Sequence, residues 1–121
     1  MTIIYKTTFT KIGNFAHDAL NDNMLITFKQ NAPADLEDYC FLHNPSELSD
    51  ALQVGDIAEF DGVEYPITAI GSVASDNLSA LGHITFRFDG ATEAEFPGSV
   101  HVVGVPPKTL MESSILVIKR D

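Results

Sequence analysis

"GDIAEFDGVEYPITAIGSV", residues 55–73, decides the fold class. Two runs, "IAEF" and "EYPITAI", flank Asp61-Gly62. Their β-branched and aromatic residues favour extended chain, and Gly62 supplies the positive φ that a tight hairpin turn needs. Pro66 has no ladder donor, which places it at an edge, a bulge or a strand start. A two-stranded hairpin is marginal in water on its own, so the rest of the chain must supply further strands to cover it.

Those strands are legible outward from the hairpin. "TIIYKTTFTKIG" (2–13) and "NMLITFKQ" (23–30) lie before it, and "HITFRF" (83–88), "EAEFPGSVHVVGV" (93–105) and "SSILVIKRD" (113–121) after it. Helical signal is brief and falls near 33–40, 45–52 and 75–81. The last of these has Ser75 and Asp76 as candidate caps, Leu78 and Leu81 three apart, and Gly82 as its stop. No alternation of long helices with strands suggests a parallel α/β sheet, and no repeat of 20 to 50 residues is visible. The expected fold is all-β: a small closed or partly open barrel of six to seven short strands with one or two short helical turns, forming a single domain over residues 1–121.

One stretch is ambiguous. In "DLEDYCFLHNPSEL" (35–48), Leu36, Tyr39, Cys40 and His43 share helical spacing, while "YCFLH" also suits a buried strand. A helical turn over 34–38 leading into a strand that ends near His43 satisfies both patterns. Asn44 and Pro45 then break the strand and leave the imidazole at its rim.

Composition narrows the function. The chain has 121 residues, 45% of them apolar, and its 7 Lys and Arg against 17 Asp and Glu give a formal charge of −10. Such a surface repels phosphate backbones and anionic lipid, so neither nucleic acid nor direct membrane insertion is expected; a basic protein partner would be attracted. No signal peptide or membrane span is evident, and the single cysteine, Cys40, suits a reducing compartment, which points to the cytoplasm. With Glu37, Asp38 and Tyr39 beside it, Cys40 reads as a packing residue rather than a nucleophile.

Motifs for nucleotide loops, zincins, hydrolase elbows and paired-cysteine metal sites are absent, and no metal or cofactor is expected. The acids Asp35, Glu37 and Asp38 read as a solvated face. Four histidines remain: His17, His43, His83 and His101. A neutral imidazole is a nucleophile at physiological pH, and phosphoryl transfer demands of a protein little beyond placing that nitrogen and some donors. His43 at a stiff strand end is therefore the candidate catalytic residue. The competing account makes it an ordinary rim residue of a non-catalytic β-barrel that binds or regulates a partner.

The stretches "ALNDNMLITF" (19–28), "APADLEDYCFLH" (32–43), "YPITAIGSVASDNLSALGHITFRFDG" (65–90) and "EAEFPGSVHV" (93–102) resemble the glucitol/sorbitol-specific enzyme IIA component of the bacterial sugar phosphotransferase system. The likeness weakens at "NPSEL" (44–48) and over 106–121. It implies an all-β, barrel-like fold, and a phosphohistidine at His43 that is charged by the phosphocarrier HPr and discharged to the sugar-specific IIB domain, with the IIC component as a further partner. It sets His83 and His101 in matching stretches as possible site neighbours. HPr would then dock on the face around His43 through some of Phe41, Leu42 and Pro45, with acids such as Glu37, Asp38 and Glu47 at the rim.

Overall fold

A computed structural model describes residues 2–44 and 47–121. In chain order these residues form β1 (Thr2–Ile12), α1 (Ala16–Asn21), β2 (Met24–Lys29), α2 (Ala34–Glu37), β3 (Phe41–His43), β4 (Ile57–Phe60), β5 (Val63–Ile70), α3 (Ala74–Leu81), β6 (Ile84–Arg87), β7 (Ser99–Val102) and β8 (Ile115–Arg120). The strands close into a barrel in the order β1-β3-β2-β6-β7-β5-β4-β8, and β8 returns to pair with β1. The class is as expected. The count rises to eight strands among the described residues, because "YCFLH" contributes the three-residue β3, inserted between β1 and β2.

The hairpin forms where its turn chemistry put it, with Asp61 (φ 49°) and Gly62 (φ 88°) joining β4 to β5. Pro66 pairs with Ile57 on one side, and on the other its carbonyl accepts the Val103 amide, one residue past the end of β7. Its ring nitrogen faces that same side, where β7 has ended and no ladder bond is lost. The helices are less well foreseen. α2 lies within its expected stretch and α3 covers its own plus one residue before it, but nothing in the sequence reading marks α1, and the described part of 45–52 contains no helix. Ser75 does not cap α3, which begins one residue earlier; its hydroxyl instead accepts the Leu52 amide at 3.0 Å and ties the 47–56 segment to the helix.

β1 and β5 each serve two neighbours. β1 pairs with β8 through residues 2–8 and with β3 through 9–12, its register shifting between Phe9 and Lys11. β5 pairs with β4 through 63–66 and with β7 through 67–70, shifting between Ile67 and Ala69. One extra residue bends a strand, and these bends turn the two corners of the barrel. After each bend the chain runs through Gly13 or Gly71 into α1 or α3. At either glycine a Cβ would overlap backbone carbonyls, of Glu37 and Asp38 in one case and of Phe96 and Pro97 in the other.

This is a duplication that the sequence reading missed. Thr10, Ile12, Gly13, Ala16, Asp18 and Leu20 recur as Thr68, Ile70, Gly71, Ala74, Asp76 and Leu78. In both copies the second and third strands run parallel, β2 with β3 and β6 with β7. Past the helices the copies slip by one residue, which disguises the repeat. The barrel interior is filled by Phe9, Leu25, Phe41, Phe60, Ile67, Phe86, Val100, Leu116 and Ile118, all 2% exposed or less. Burial of such side chains contributes about 1.5–3 kcal/mol each.

Candidate functional site

β3 alternates as a strand must. Phe41 joins the interior cluster, Leu42 packs outside with Phe28, Ala32 and Cys40, and His43 turns inward again as the last residue of the strand. Its imidazole is therefore not at an exposed rim as expected: the residue is 0% exposed. β1 supplies two of its covers. The Tyr5 ring meets His43 edge-on at 6.2 Å between centroids, and Thr7 Oγ1 lies 3.0 Å from Nδ1. The junction between α3 and β6 supplies the third, with the Gly82 carbonyl 2.9 Å from Nε2.

Gly82 sits in the left-handed region (φ 60°) and ends α3. A Cβ there would come within 2.9 Å of both Cε1 and Nε2 of His43, so glycine is required by the ring as well as by the turn. Thr7 donates its own proton to the Asn44 carbonyl at 2.7 Å, and Thr27 Oγ1 donates to the Gly82 carbonyl at 2.9 Å. Burial holds the His43 imidazole below the usual histidine range, and the Gly82 and Asn44 carbonyls partly oppose that by favouring the protonated ring.

The other predicted residues divide. His83 follows Gly82 directly, is half-buried and stacks on Phe28 with ring centroids 4.8 Å apart; burial lowers its pKa. His101 points outward from β7 and belongs to a different cluster. Its Nδ1 lies 2.8 Å from the Asp89 carboxylate and its Nε2 accepts the Glu95 amide at 3.3 Å, which leaves neither nitrogen open. His17 is exposed, with its ring edge on Phe41.

The docking residues need correction. Phe41 (0% exposed) and Leu42 (2%) are core, because the barrel interior covers the first and Phe28, Ala32 and Cys40 cover the second, and they cannot line a docking face as they stand. Pro45 lies outside the described residues. Glu37 is paired with Lys11, and Asp38 accepts from Asn14; both precede β3, whereas His43 ends it. Glu47 is exposed. Cys40 is buried in the outer cluster and its thiol is pushed up to about 11 by burial, as a packing role requires.

Thr7 and Gly82 are the site residues that the sequence reading did not single out. Gly82 carried a signal, a glycine closing a helix, but only its role as a stop was read. Thr7 is one polar residue in an alternating strand and carried none.

Comparison with known proteins bears on the whole chain. Residues 4–116 match the family described as PTS system glucitol/sorbitol-specific IIA component. The glucitol/sorbitol-specific EIIA components of Shigella flexneri and Escherichia coli are each 57% identical over 116 residues, covering 96% of this chain and 94% of theirs. A crystal structure of a PTS system IIA component from Enterococcus faecalis is similar in fold, with a TM-score of 0.83 and 25% identity, covering 92% of this chain and 96% of that one. No helix among the described residues is long and apolar enough to cross a membrane.

Proposed function

Since the chain belongs to the glucitol/sorbitol-specific IIA components of the sugar phosphotransferase system, a family whose role is phosphotransfer, we propose that His43 is the residue that carries the phosphoryl group. The observation behind this reading is the placing of His43. It is the one histidine with its ring turned inside the barrel and an uncharged partner within hydrogen-bond distance of each nitrogen, the Thr7 hydroxyl at Nδ1 and the Gly82 carbonyl at Nε2. His101, tied to a carboxylate and an amide, is arranged as a structural histidine.

In this reading phospho-HPr is the donor and the IIB domain the acceptor, both in the cytoplasm, with IIC providing passage for the sugar. A ring nitrogen attacks phosphorus as the donor's bond to phosphorus breaks, and the reverse geometry discharges the group to IIB. No cofactor is needed. The net charge of −10 would speed encounter with a basic carrier.

One observation favours the rival, a non-catalytic binding or regulatory barrel: the His43 ring is fully covered. Incubation with phosphoenolpyruvate, enzyme I and HPr, followed by intact mass measurement, separates the two. One added phosphoryl group, absent in His43→Gln, supports the carrier. No added mass on a folded chain, or label retained by His43→Gln, rejects the assignment. The bond should be lost in mild acid and kept in mild base, as a phosphoryl group on an imidazole nitrogen requires.

A further inference from the structure

We infer that Thr7 is a positioning residue that selects which nitrogen of His43 is free to react, by competing with the Gly82 carbonyl for the single proton of the neutral ring. The inference rests on His43 being the phosphoryl acceptor, and it follows from counting protons. The Thr7 hydroxyl has one hydrogen, directed at the Asn44 carbonyl 2.7 Å away, so it presents a lone pair to Nδ1 at 3.0 Å. Gly82 O, 2.9 Å from Nε2, can also only accept. Satisfying both acceptors takes a doubly protonated ring. Yet the site is buried, no ion pair to His43 occurs among the described residues, and burial disfavours the charge.

A neutral ring therefore has one N–H for two acceptors, and two arrangements are available. With the proton on Nε2, the Gly82 carbonyl masks that nitrogen, and Thr7 must turn to donate to Nδ1, which strips Asn44 O of its donor. With the proton on Nδ1, the chain from ring to Thr7 to Asn44 is intact, and the Nε2 lone pair faces the lone pairs of Gly82 O. That repulsion pushes the cover aside. Moving it is inexpensive, because Thr27 Oγ1 already donates to the same carbonyl at 2.9 Å and keeps it satisfied. The second arrangement is the nucleophile. Its Nε2 pair forms the bond to phosphorus, the donor's electron pair departs with the donor, and the Nδ1 proton stays on the ring beside Thr7.

The test compares the parent with Thr7→Val, which keeps the shape and removes the hydroxyl, and with Thr7→Ser, which restores it. Ring-nitrogen NMR reports the tautomer of His43. Phosphorylation is timed with phospho-HPr and with phosphoramidate, a small donor that needs no docking. Thr7→Val is expected to move the proton to Nε2 and to slow labelling roughly tenfold or more with both donors, since a wrongly placed ring proton disables histidine chemistry. Thr7→Ser is expected to recover both the tautomer and most of the rate. A folded Thr7→Val with the parental tautomer and rate overturns the inference alone, as does a folded Thr7→Ser that behaves like Thr7→Val. Label persisting in His43→Gln overturns the acceptor reading beneath it.

Discussion

At one end of the barrel β3 finishes on His43 and α3 is closed by Gly82; at the other β7 finishes on Val102 and α1 is followed by Asn23. The backbones correspond. Gly82 and Asn23 share the left-handed conformation (φ 60° and 62°), and the last strand residue accepts an amide at 2.9 Å in both places, from Gln30 to His43 and from Gly90 to Val102. The side chains do not. Thr7 stands at the first end where Tyr65 stands at the second, and Tyr65 packs its ring against Phe60 and Phe88 and donates its hydroxyl to the Val105 carbonyl. The Asn23 carbonyl accepts the Phe88 amide, whereas its counterpart on Gly82 faces an imidazole. One duplicated frame thus carries an apolar plug at one end and a buried polar relay at the other. The proposed site sits where the copies differ, and the shared positions hold the fold.

The largest expected effect comes from making the first end like the second. His43→Val should abolish phosphate incorporation while leaving the thermal midpoint near that of the parent, because Thr7 keeps Asn44 O and Gly82 O keeps Thr27 when the imidazole is removed. Calorimetry together with mass measurement checks this. A variant that unfolded would mean that the ring holds the barrel together, and the contrast between relay and plug would fail.

Next comes the pair of left-handed residues. Gly82→Ala newly places a β-carbon at positive φ, at a cost of about 1 kcal/mol or somewhat more, whereas Asn23 already carries one there and Asn23→Ala loses only asparagine's greater tolerance of that conformation. Only Gly82→Ala also drives that carbon against the His43 ring. It is therefore expected to be the less stable of the two by denaturant melts and to slow labelling, while Asn23→Ala labels like the parent. Equal labelling in both would show that the Gly82 contact does not reach the chemistry.

A smaller effect concerns pH. His43 and His83 both have their pKa lowered, chiefly by burial, so between the folded and unfolded values the unfolded chain binds more protons. Their contribution is fully present above the usual histidine pKa of about 6.5 and is lost as pH falls through the folded values. The parent's melting temperature should drop between pH 7 and pH 5, and His43→Val should drop less. An identical drop would assign the whole effect elsewhere.

The smallest effect is on encounter. Glu47 is exposed four residues after His43, while Glu37 and Asp38 lie before β3 and are engaged with Lys11 and Asn14. Glu47→Gln is expected to slow phosphorylation by HPr a few-fold at low salt and hardly at all at high salt, because rim charges act over about 8 Å at physiological ionic strength. Glu37→Gln with Asp38→Asn should do less. The reverse ranking would move the docking face to the other end of β3.

Much of this was legible in one chain. The Asp61-Gly62 turn, the outer strands and the strand end at His43 follow from turn chemistry and alternation, which act within a few residues. What stayed hidden depends on contacts between distant residues. α1 is six residues long with no side-chain cap, and it forms because Gly13 admits the backbone of 37–38 and because Ala16 and Leu20 find the core. Burial of His43 needs β1 and the α3–β6 junction, which are 36 and 39 residues away, and no local pattern near "CFLH" encodes either. The duplication was concealed by its one-residue slip past the helices.

The closure of the barrel governs when the protein can exist at all. Thr2 pairs with Arg120, and Arg120 also clasps the buried Asp56 at 2.8 Å and Asp50 at 2.7 Å. β1 thus has its outer edge completed only by the last strand of the barrel, and the loop before β4 waits for the same residues. Pairings this remote in sequence make folding slow relative to a helical chain of equal length. Until β8 emerges, β1 and β4 each present an open edge, a period in which a nascent chain can pair with its neighbours. Deleting residues 115–121 would therefore leave both edges permanently open, and the truncated chain should collect in aggregates, whereas the closed barrel pairs every one of its eight strands on both sides among the described residues.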